Sequence, residues 1–191
     1  MRIITGSLKG RVVPFDNLKF GNAATTSGRM KEAAFSMLGA NLSGLSFLDL
    51  FACSGQIGLE AFSRGAQLVM NELDDLRYRF ITTLIVNWNL EGIQTLCVPA
   101  EKLLLSFSTE GRKFDIIFLD PPYHKTIGNT PFVEEIFGRL DEAGVLSPGG
   151  TVMVQHAHTV TMPDLTPRLA RVTHKRFGDS LLSAYQAIKE V

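Results

Sequence analysis

The segment Asp120-Pro121-Pro122-Tyr123 combines residue types that can hold and activate an amine, and it directly follows an apolar run, 114–119, typical of a buried strand. An exocyclic amine on a nucleobase is a poor nucleophile because its lone pair is delocalised into the ring. Hydrogen bonds from its N–H groups to the Asp120 carboxylate and the Pro121 carbonyl would hold the amine and localise that lone pair. They would also stabilise the positive charge that develops as a methyl group arrives.

The other residues of this segment suit the same chemistry. Prolines have a fixed φ and no N–H, so they stiffen a turn whose carbonyls point outward. Tyr123 offers a flat ring on which an extruded base can stack, an interaction worth ~1–3 kcal/mol per base. We therefore predict catalytic roles for Asp120, Pro121 and Tyr123. The alternative interpretation is a proline-rich turn at the end of a strand, with a half-buried tyrosine.

A second segment, 48–58, is typical of a buried strand that turns through small residues into a helix. Gly55 lets the backbone approach a ligand closely, and the helix N-terminus offers free N–H groups. The Cys-x-Gly-x-x-Gly spacing is an imperfect dinucleotide fingerprint, and a simple tight turn is the alternative. Glu72 ends the next predicted strand, where a carboxylate can accept hydrogen bonds from both ribose hydroxyls of an adenosyl group or can cap a helix. Glu101 could meet an adenine edge or lie on the surface.

The formal net charge is zero, which excludes a globally basic nucleic-acid binder. The first 32 residues nevertheless carry six basic residues against two acidic ones, and a second basic cluster comprises Arg168, Arg171, His174, Lys175 and Arg176. After folding, these segments could grip phosphates or could simply be solvated faces.

The two cysteines form no disulfide framework, and no segment is typical of a signal peptide or a membrane span, so we expect a reduced, cytoplasmic protein. His156 and His158 lack the partners of a metal site, and we expect no metal. The length favours one compact domain, and we expect a monomer.

Periodicity predicts an α/β fold. Strands are expected at 46–50, 67–71, 94–98, 114–119 and 151–155, with helices at 56–63, 75–90, 100–106 and 132–142 between them. This alternation indicates a mostly parallel sheet covered on both faces, in which ligands gather at the carboxyl ends of the strands. Two late strands, 171–177 and 181–189, would add an antiparallel hairpin.

Three further features complete the predicted layout. Short strands at 2–5 and 10–13 predict an N-terminal hairpin, and Ser27 is the predicted N-cap of a helix at 29–38. Two helical stripes are predicted to face the core: Ala33, Ala34, Met37 and Leu38 in this helix, and Leu76, Phe80, Ile81, Leu84, Ile85 and Trp88 in the longest one.

With these residues in place, the chain resembles the bacterial 16S rRNA guanine-N2 methyltransferases of the RsmD type. The resemblance runs nearly end to end, and it is carried by Arg2-Ile3-Ile4 with Gly6, Lys9-Gly10-Arg11, Arg29-Met30-Lys31-Glu32-Ala33, 48–55, Gly58-Leu59-Glu60-Ala61, Ser63-Arg64-Gly65-Ala66, Asn89-Leu90-Glu91 and 114–123. The sequence departs from the family pattern in three places. Ala24-Thr25 stands where Arg-Pro is usual in the stretch before the first helix. Cys53 replaces a glycine, and Gln155 stands where an acid is common.

The resemblance implies a Rossmann-like methyltransferase fold with a seven-stranded, mostly parallel sheet over 26–191 and a small N-terminal hairpin extension over 1–25. It implies S-adenosylmethionine as methyl donor and, as target, one guanine N2 in small-subunit rRNA, presented within an assembling 30S particle. The cofactor-binding residues expected on this basis are Asp49, Phe51, Ser54, Gly55, Glu72, Leu73, Glu101 and Asp120. The expected RNA-binding residues are Arg2, Lys9, Arg11, Arg29, Lys31 and Tyr123.

Three other functions remain compatible with the sequence. An adenine-N6 methyltransferase acting on DNA or RNA would use the same tetrapeptide. A nicotinamide-dependent oxidoreductase is suggested by the glycine turn alone. An RNA-binding assembly factor with weakened or no catalysis is suggested by the altered stretch before the first helix.

Overall fold

The computed structural model describes residues 1–21 and 26–188. The chain divides into two compact units, Met1–Val98 and Pro99–Val191. The altered positions Ala24 and Thr25 and the end of the last predicted strand, Lys189, lie outside the described residues. The division into an extension over 1–25 and a domain over 26–191 stays a prediction.

The first unit is built on three parallel strands. Strand β2 lies between β1 and β3, with Ser46 opposite Gln67 and Val69 opposite Gln94. Its elements in chain order are α1 (Gly28–Leu38), β1 (Ser46–Asp49), α2 (Gln56–Ser63), β2 (Gln67–Asn71), α3 (Asp75–Asn87) and β3 (Gln94–Leu96). The predicted alternation of strands and helices in this half of the chain is therefore confirmed.

The second unit adds four longer strands, of which β7 is parallel to β4 and antiparallel to β9, while β9 also pairs with β8. Its elements are α4 (Ala100–Thr109), β4 (Phe114–Leu119), β5 (Thr126–Ile127), β6 (Thr130–Pro131), α5 (Phe132–Ala143), β7 (Leu146–Ala157), β8 (Leu169–Phe177) and β9 (Ser180–Ala187). The predicted C-terminal antiparallel hairpin is confirmed. The short hairpin β5–β6 was not predicted.

Strand β7 begins earlier than the sequence predicts because it includes a bulge. Its register against β4 jumps from Phe114 opposite Leu146 to Ile116 opposite Thr151. The extra residues include Pro148 and Gly149, which normally indicate a turn. Here they form an irregularity inside the strand.

Two helical stripes differ from the prediction. Ser27 caps α1 as expected, its side chain accepting a hydrogen bond from the N–H of Met30. In α1, however, Met37 is exposed, and Phe35 is buried beside Ala34. In α3, Leu76 is 62% exposed, and only Ile81 and Leu84 are buried. The predictions that Met37 and Leu76 face the core are therefore wrong.

The N-terminal segment is attached to α2 by hydrogen bonds to the buried carboxylate of Glu60. An antiparallel bridge between Arg2 and Val12 confirms the hairpin, although the segments around it do not form full strands. Glu60, with 0% exposure, accepts hydrogen bonds from the backbone N–H groups of Ile4 (2.8 Å) and Thr5 (3.1 Å). Ser63 Oγ accepts a hydrogen bond from the Leu8 N–H in the same hairpin. A Cβ at Gly6 would lie 1.6 Å from the Ser63 carbonyl oxygen, so the close approach of the hairpin to α2 needs glycine there.

The same carboxylate neutralises two buried cations. Lys31 Nζ lies 3.0 Å from Glu60 Oε2, and Arg64 Nη2 lies 3.0 Å from Glu60 Oε1. Burial by itself raises the pKa of Glu60, but the hydrogen bonds from Ile4, Lys31 and Arg64 outweigh it and hold this pKa below its ordinary value. Glu60 therefore joins the hairpin, α1 and α2 through charge-assisted bonds.

An aromatic cluster packs the segment 15–20 against α3. The rings of Phe15 and Phe20 stack with centroids 4.6 Å apart, and both meet the ring of Phe80 edge-on. Arg77 Nη2 donates to the Phe20 carbonyl at 3.0 Å.

No helix in the described parts of the chain is long and apolar enough to cross a membrane.

We predict that Glu60→Gln lowers the free energy of unfolding by about 3–5 kcal/mol, because it leaves Lys31 and Arg64 buried without a counter-charge. Urea unfolding followed by circular dichroism measures this loss. Glu135→Gln is the matched control, since the partly exposed Glu135 pairs with the exposed Arg139 and this pair should contribute about 0–1 kcal/mol. A Glu60 variant no less stable than the control would contradict the assigned role.

Candidate active site

Two glycines suit the passage from β1 into α2 for different reasons, one at the N-cap of the helix and one inside its first turn. Gly55, the N-cap of α2, has φ +74°, a conformation that only glycine adopts readily. A Cβ at Gly58 would lie 2.7 Å from Met70 Sδ, so glycine allows α2 to pack closely on β2. The glycine spacing therefore serves a tight turn and close helix–strand packing, the two geometric needs of a nucleotide-binding turn.

Asp49 holds this turn from inside. The residue is 1% exposed, and its Oδ2 accepts the Gly58 N–H at 3.0 Å. Burial raises the pKa of Asp49 to about 7 and the Glu72 charge adds to this, while hydrogen bonds from the Gly58 and Phe51 backbone act against it. The structure thus gives Asp49 a positioning role beneath the predicted cofactor surface.

Glu72, at the end of β2, also stabilises the turn between β1 and α2. Its Oε2 accepts the Cys53 N–H at 2.8 Å, and its Oε1 accepts the Asp74 N–H at 2.9 Å. Cys53 has φ +49°, a strained conformation that costs a non-glycine residue about 1–3 kcal/mol. The bond to Glu72 helps to hold that conformation. Each carboxylate oxygen retains further acceptor capacity.

Asn71, which the sequence did not single out, ties three segments together. Its Nδ2 donates to the carbonyls of Leu50 (3.3 Å) and Val98 (2.9 Å), and its Oδ1 accepts the Val98 N–H at 3.1 Å. Its backbone carbonyl accepts the Ala52 N–H at 2.8 Å. A buried asparagine at the end of a strand was the available signal, but its partners could not be predicted.

The other predicted cofactor residues of the first unit surround this turn. Ser54 is buried, Phe51 is half-buried, and Leu73 is 53% exposed beside Glu72. In the second unit, Glu101 is exposed in the first turn of α4. Their roles toward a cofactor stay predictions.

In the second unit, the tetrapeptide after β4 carries a tethered tyrosine. Asp120 and Tyr123 are half-buried and Pro121 is buried. The Tyr123 hydroxyl donates to Ser180 Oγ at 3.0 Å and accepts from Gln155 Nε2 at 2.9 Å. Burial raises the pKa of Tyr123 to about 12, the Asp120 charge adds to this, and the two hydrogen bonds oppose it. Tyr123 is therefore a neutral phenol whose position is set by β7 and β9.

The hydrogen-bond partners of Tyr123 were not predicted. Ser180 begins β9, 57 residues along the chain, and no local pattern distinguishes it. In the sequence, Gln155 is distinguished only as a departure from the expected family pattern. Together these two side chains fix the far end of the ring that is predicted to stack on a base.

The predicted RNA-binding residues near the N-terminus divide into two groups. Arg2, Lys9, Arg11 and Arg29 are exposed, and the Arg11 guanidinium lies 5.2 Å from the centre of the Trp88 ring. Lys31 is 1% exposed, and its Nζ is bound to Glu60 and to the Arg2 carbonyl. The prediction that Lys31 binds RNA is therefore wrong, because the side chain is buried in an ion pair.

His156 has a structural role. His156 is 1% exposed, and its ring nitrogens contact Ser183 Oγ and the Ala157 carbonyl. Burial lowers the pKa of His156, and the charges of Arg171 and His174 act in the same direction. Among residues 1–21 and 26–188, no three Asp, Glu, His or Cys residues are grouped so that they could hold a metal ion.

The fold is that of the Rossmann-like S-adenosylmethionine-dependent methyltransferases. A hypothetical protein of Thermus thermophilus superposes with a TM-score of 0.79 at 26% identity, covering 96% of this chain and 98% of that one. The T. thermophilus 16S rRNA N2 G1207 methyltransferase RsmC, in complex with AdoMet and guanosine, shares the fold, with a TM-score of 0.67 at 22% identity over 86% of this chain and 44% of that one.

Sequence comparison places the chain in a particular family. The family model described as conserved hypothetical protein 95 matches residues 1–186, and the chain belongs to this family. The ribosomal RNA small subunit methyltransferase D of Haemophilus influenzae is 31% identical over 165 residues, covering 81% of this chain and 78% of that protein. The resemblance to the RsmD type is thereby confirmed.

The pKa of Asp49 predicts a pH-dependent stability. In the unfolded chain, this carboxyl ionises near its ordinary pKa of 3.8, whereas in the folded protein its pKa is about 7. The folded state therefore binds more protons between these limits. Asp49 makes the free energy of unfolding fall as pH rises from about 4 to 7, by at most about 1.4 kcal/mol per pH unit.

Urea unfolding at several pH values compares the wild type with Asp49→Asn, which cannot titrate. The wild type should lose stability relative to this variant up to about pH 7, with no further loss above it. Asp75→Asn, at an exposed helix position, is the control and should follow the wild type. Identical pH profiles for the wild type and Asp49→Asn would show that Asp49 ionises normally.

Proposed function

We propose that this protein is an S-adenosylmethionine-dependent methyltransferase that methylates the exocyclic N2 of a guanine in small-subunit rRNA. The observation that carries this proposal is the turn Asp120–Tyr123 after β4, with its tyrosine tethered by Gln155 and Ser180. The tetrapeptide supports the reaction type. Membership of the family and the named activity of the Haemophilus influenzae relative support rRNA as the substrate.

The first unit has groups that suit this cofactor. The turn at Gly55 leads into the N-terminus of α2, and the Glu72 carboxylate has acceptor capacity for ribose hydroxyls. Gln56, the first residue of α2, donates to the Thr26 carbonyl, and its buried Oε1 has no partner among the described residues. An ammonium group, such as that of a methionyl moiety, would satisfy this acceptor.

When bound, S-adenosylmethionine supplies a methyl group on a sulfonium sulfur, and the C–S electron pair stays with sulfur as the methyl leaves. Asp120 and the Pro121 carbonyl accept hydrogen bonds from the N2 amine of guanine and direct its lone pair outward. The amine nitrogen forms the new C–N bond, and Asp120 can take up the proton that the nitrogen then loses. Catalysis is mainly positioning and electrostatic stabilisation.

Tyr123 provides the surface for the extruded guanine. Because its hydroxyl is held at both sides and remains neutral, the ring cannot rotate away and presents a fixed face for stacking. The exposed Arg2, Lys9, Arg11 and Arg29 supply positive charge for RNA phosphates, and an assembling 30S particle is the proposed form of the substrate.

We predict that Asp120→Ala reduces methyl transfer at least 100-fold, because it removes an acceptor needed in the transition state. Cofactor affinity measured by calorimetry should change far less. The rate is measured as transfer of labelled methyl to small-subunit RNA and particles.

Asp120→Asn is the matched control. It keeps one carbonyl acceptor but loses the negative charge, so its rate should fall between those of the wild type and Asp120→Ala. An Asp120→Ala protein with an undiminished rate would refute the catalytic assignment. Loss of cofactor binding in both variants would instead place Asp120 in the cofactor site.

A further inference from the structure

Strand β8 presents two different faces, which the register of the C-terminal strands defines. Residues directly opposite each other in an antiparallel pair share a face, and neighbours along a strand alternate. Gln155 of β7 is opposite Leu182 of β9, which is opposite Lys175 of β8. Ser180 of β9 is likewise opposite Phe177.

Because Gln155 and Ser180 both bond to the Tyr123 hydroxyl, their face of these strands is the face of the candidate active site. Past the bulge in β8, this face carries Thr173, Lys175 and Phe177. These three residues form what we call the β8 strip. Phe177 is one strand from Ser180 and Lys175 is two strands from Gln155, at about 4.8 Å per strand.

The chemistry of the β8 strip suits a nucleic acid strand. Thr173 and Lys175 are exposed and offer a hydroxyl and an ammonium group to phosphate, while the half-exposed ring of Phe177 can stack on a base or ribose. Positive charge interleaved with aromatic rings is the pattern with which proteins bind single-stranded RNA. The strip also lies on an edge strand, since within the described chain β8 pairs with β9 and otherwise makes only an isolated bridge from Ala170 to Leu165, away from the strip.

The opposite face of β8 is already occupied by contacts within the protein. Arg171 is bound to Asp164 and to the Met162 carbonyl. Arg176 Nε donates to the Gly178 carbonyl at 2.8 Å. Tyr185, opposite Arg171, packs its ring on Phe137 with centroids 4.5 Å apart. The basic cluster is therefore not a uniform patch, and Lys175 is its member on the active-site face.

We propose that the β8 strip binds the RNA strand next to the nucleotide held at Tyr123, with Lys175 contacting a phosphate and Phe177 a neighbouring base or ribose. This inference rests on the proposed function, because it names the surface that presents the RNA to that site. An edge-strand lysine can also serve only to prevent strands of different molecules from pairing. The following experiment distinguishes the two roles.

The test compares Lys175→Gln with Arg176→Gln, which removes the adjacent charge on the opposite face of the same strand. RNA affinity is measured by anisotropy at several salt concentrations with in-vitro transcribed small-subunit rRNA, and KM and kcat are measured with undermethylated 30S particles. Lys175→Gln should weaken binding several-fold and raise KM with little change in kcat. It should also reduce the salt slope, log K against log salt, by about 0.7, as for one lost phosphate contact.

Arg176→Gln should leave the salt slope and KM close to the wild-type values. Phe177→Ala should weaken binding without changing the slope, whereas Phe177→Tyr should preserve it. Equal effects of Lys175→Gln and Arg176→Gln, or no effect of Lys175→Gln on slope and KM, would overturn the proposal. If the wild type methylated neither the transcribed rRNA nor the undermethylated 30S particles, the proposed function itself would be refuted.

Discussion

The carboxylate of Glu60 receives hydrogen bonds from two backbone amides of the N-terminal hairpin and from the side chains of Lys31 and Arg64. It thereby joins three separate segments of the first unit at one buried point. A buried carboxylate is costly unless it is fully paired, and here two cations and two amides satisfy it. Because Glu60 lies in α2, the helix that begins at the candidate cofactor turn, its network also fixes the position of that helix.

Carboxylates also shape the candidate cofactor turn. Asp49 accepts the N–H of Gly58 in the first turn of α2, and Glu72 accepts the N–H of Cys53, whose backbone conformation is unfavourable for a residue with a side chain. Glycine normally relieves such a turn at no steric cost. In this chain, the hydrogen bond from the Cys53 N–H to Glu72 supports the strained residue instead. The turn is thus supported by Glu72 at the position of Cys53, and the Glu72 carboxylate oxygens retain further acceptor capacity.

Local pattern was sufficient for most of the fold. The bounds of β2, α2 and β4 were predicted to the residue, because apolar runs and small-residue turns mark them. It was insufficient where a residue's partner lies far along the chain. Lys31 was predicted to bind RNA, which requires an exposed cation. In the structure it is buried in an ion pair with Glu60, 29 residues away. Tyr123 was predicted from its motif, but Ser180 and Gln155, which orient it, come from strands whose register no local pattern specifies. The exposure of Leu76 depends equally on distant packing.

We propose that the turn at Asp120–Tyr123 delivers the N2 amine of a guanine in small-subunit rRNA to a methyl donor. The most direct measurement is transfer of labelled methyl from S-adenosylmethionine to rRNA and 30S particles from cells lacking this protein, with the product nucleoside identified by mass spectrometry. N2-methylguanosine is the labelled nucleoside expected from the proposed function. Label in N6-methyladenosine, or no transfer to either substrate by a protein that binds the cofactor, would contradict it.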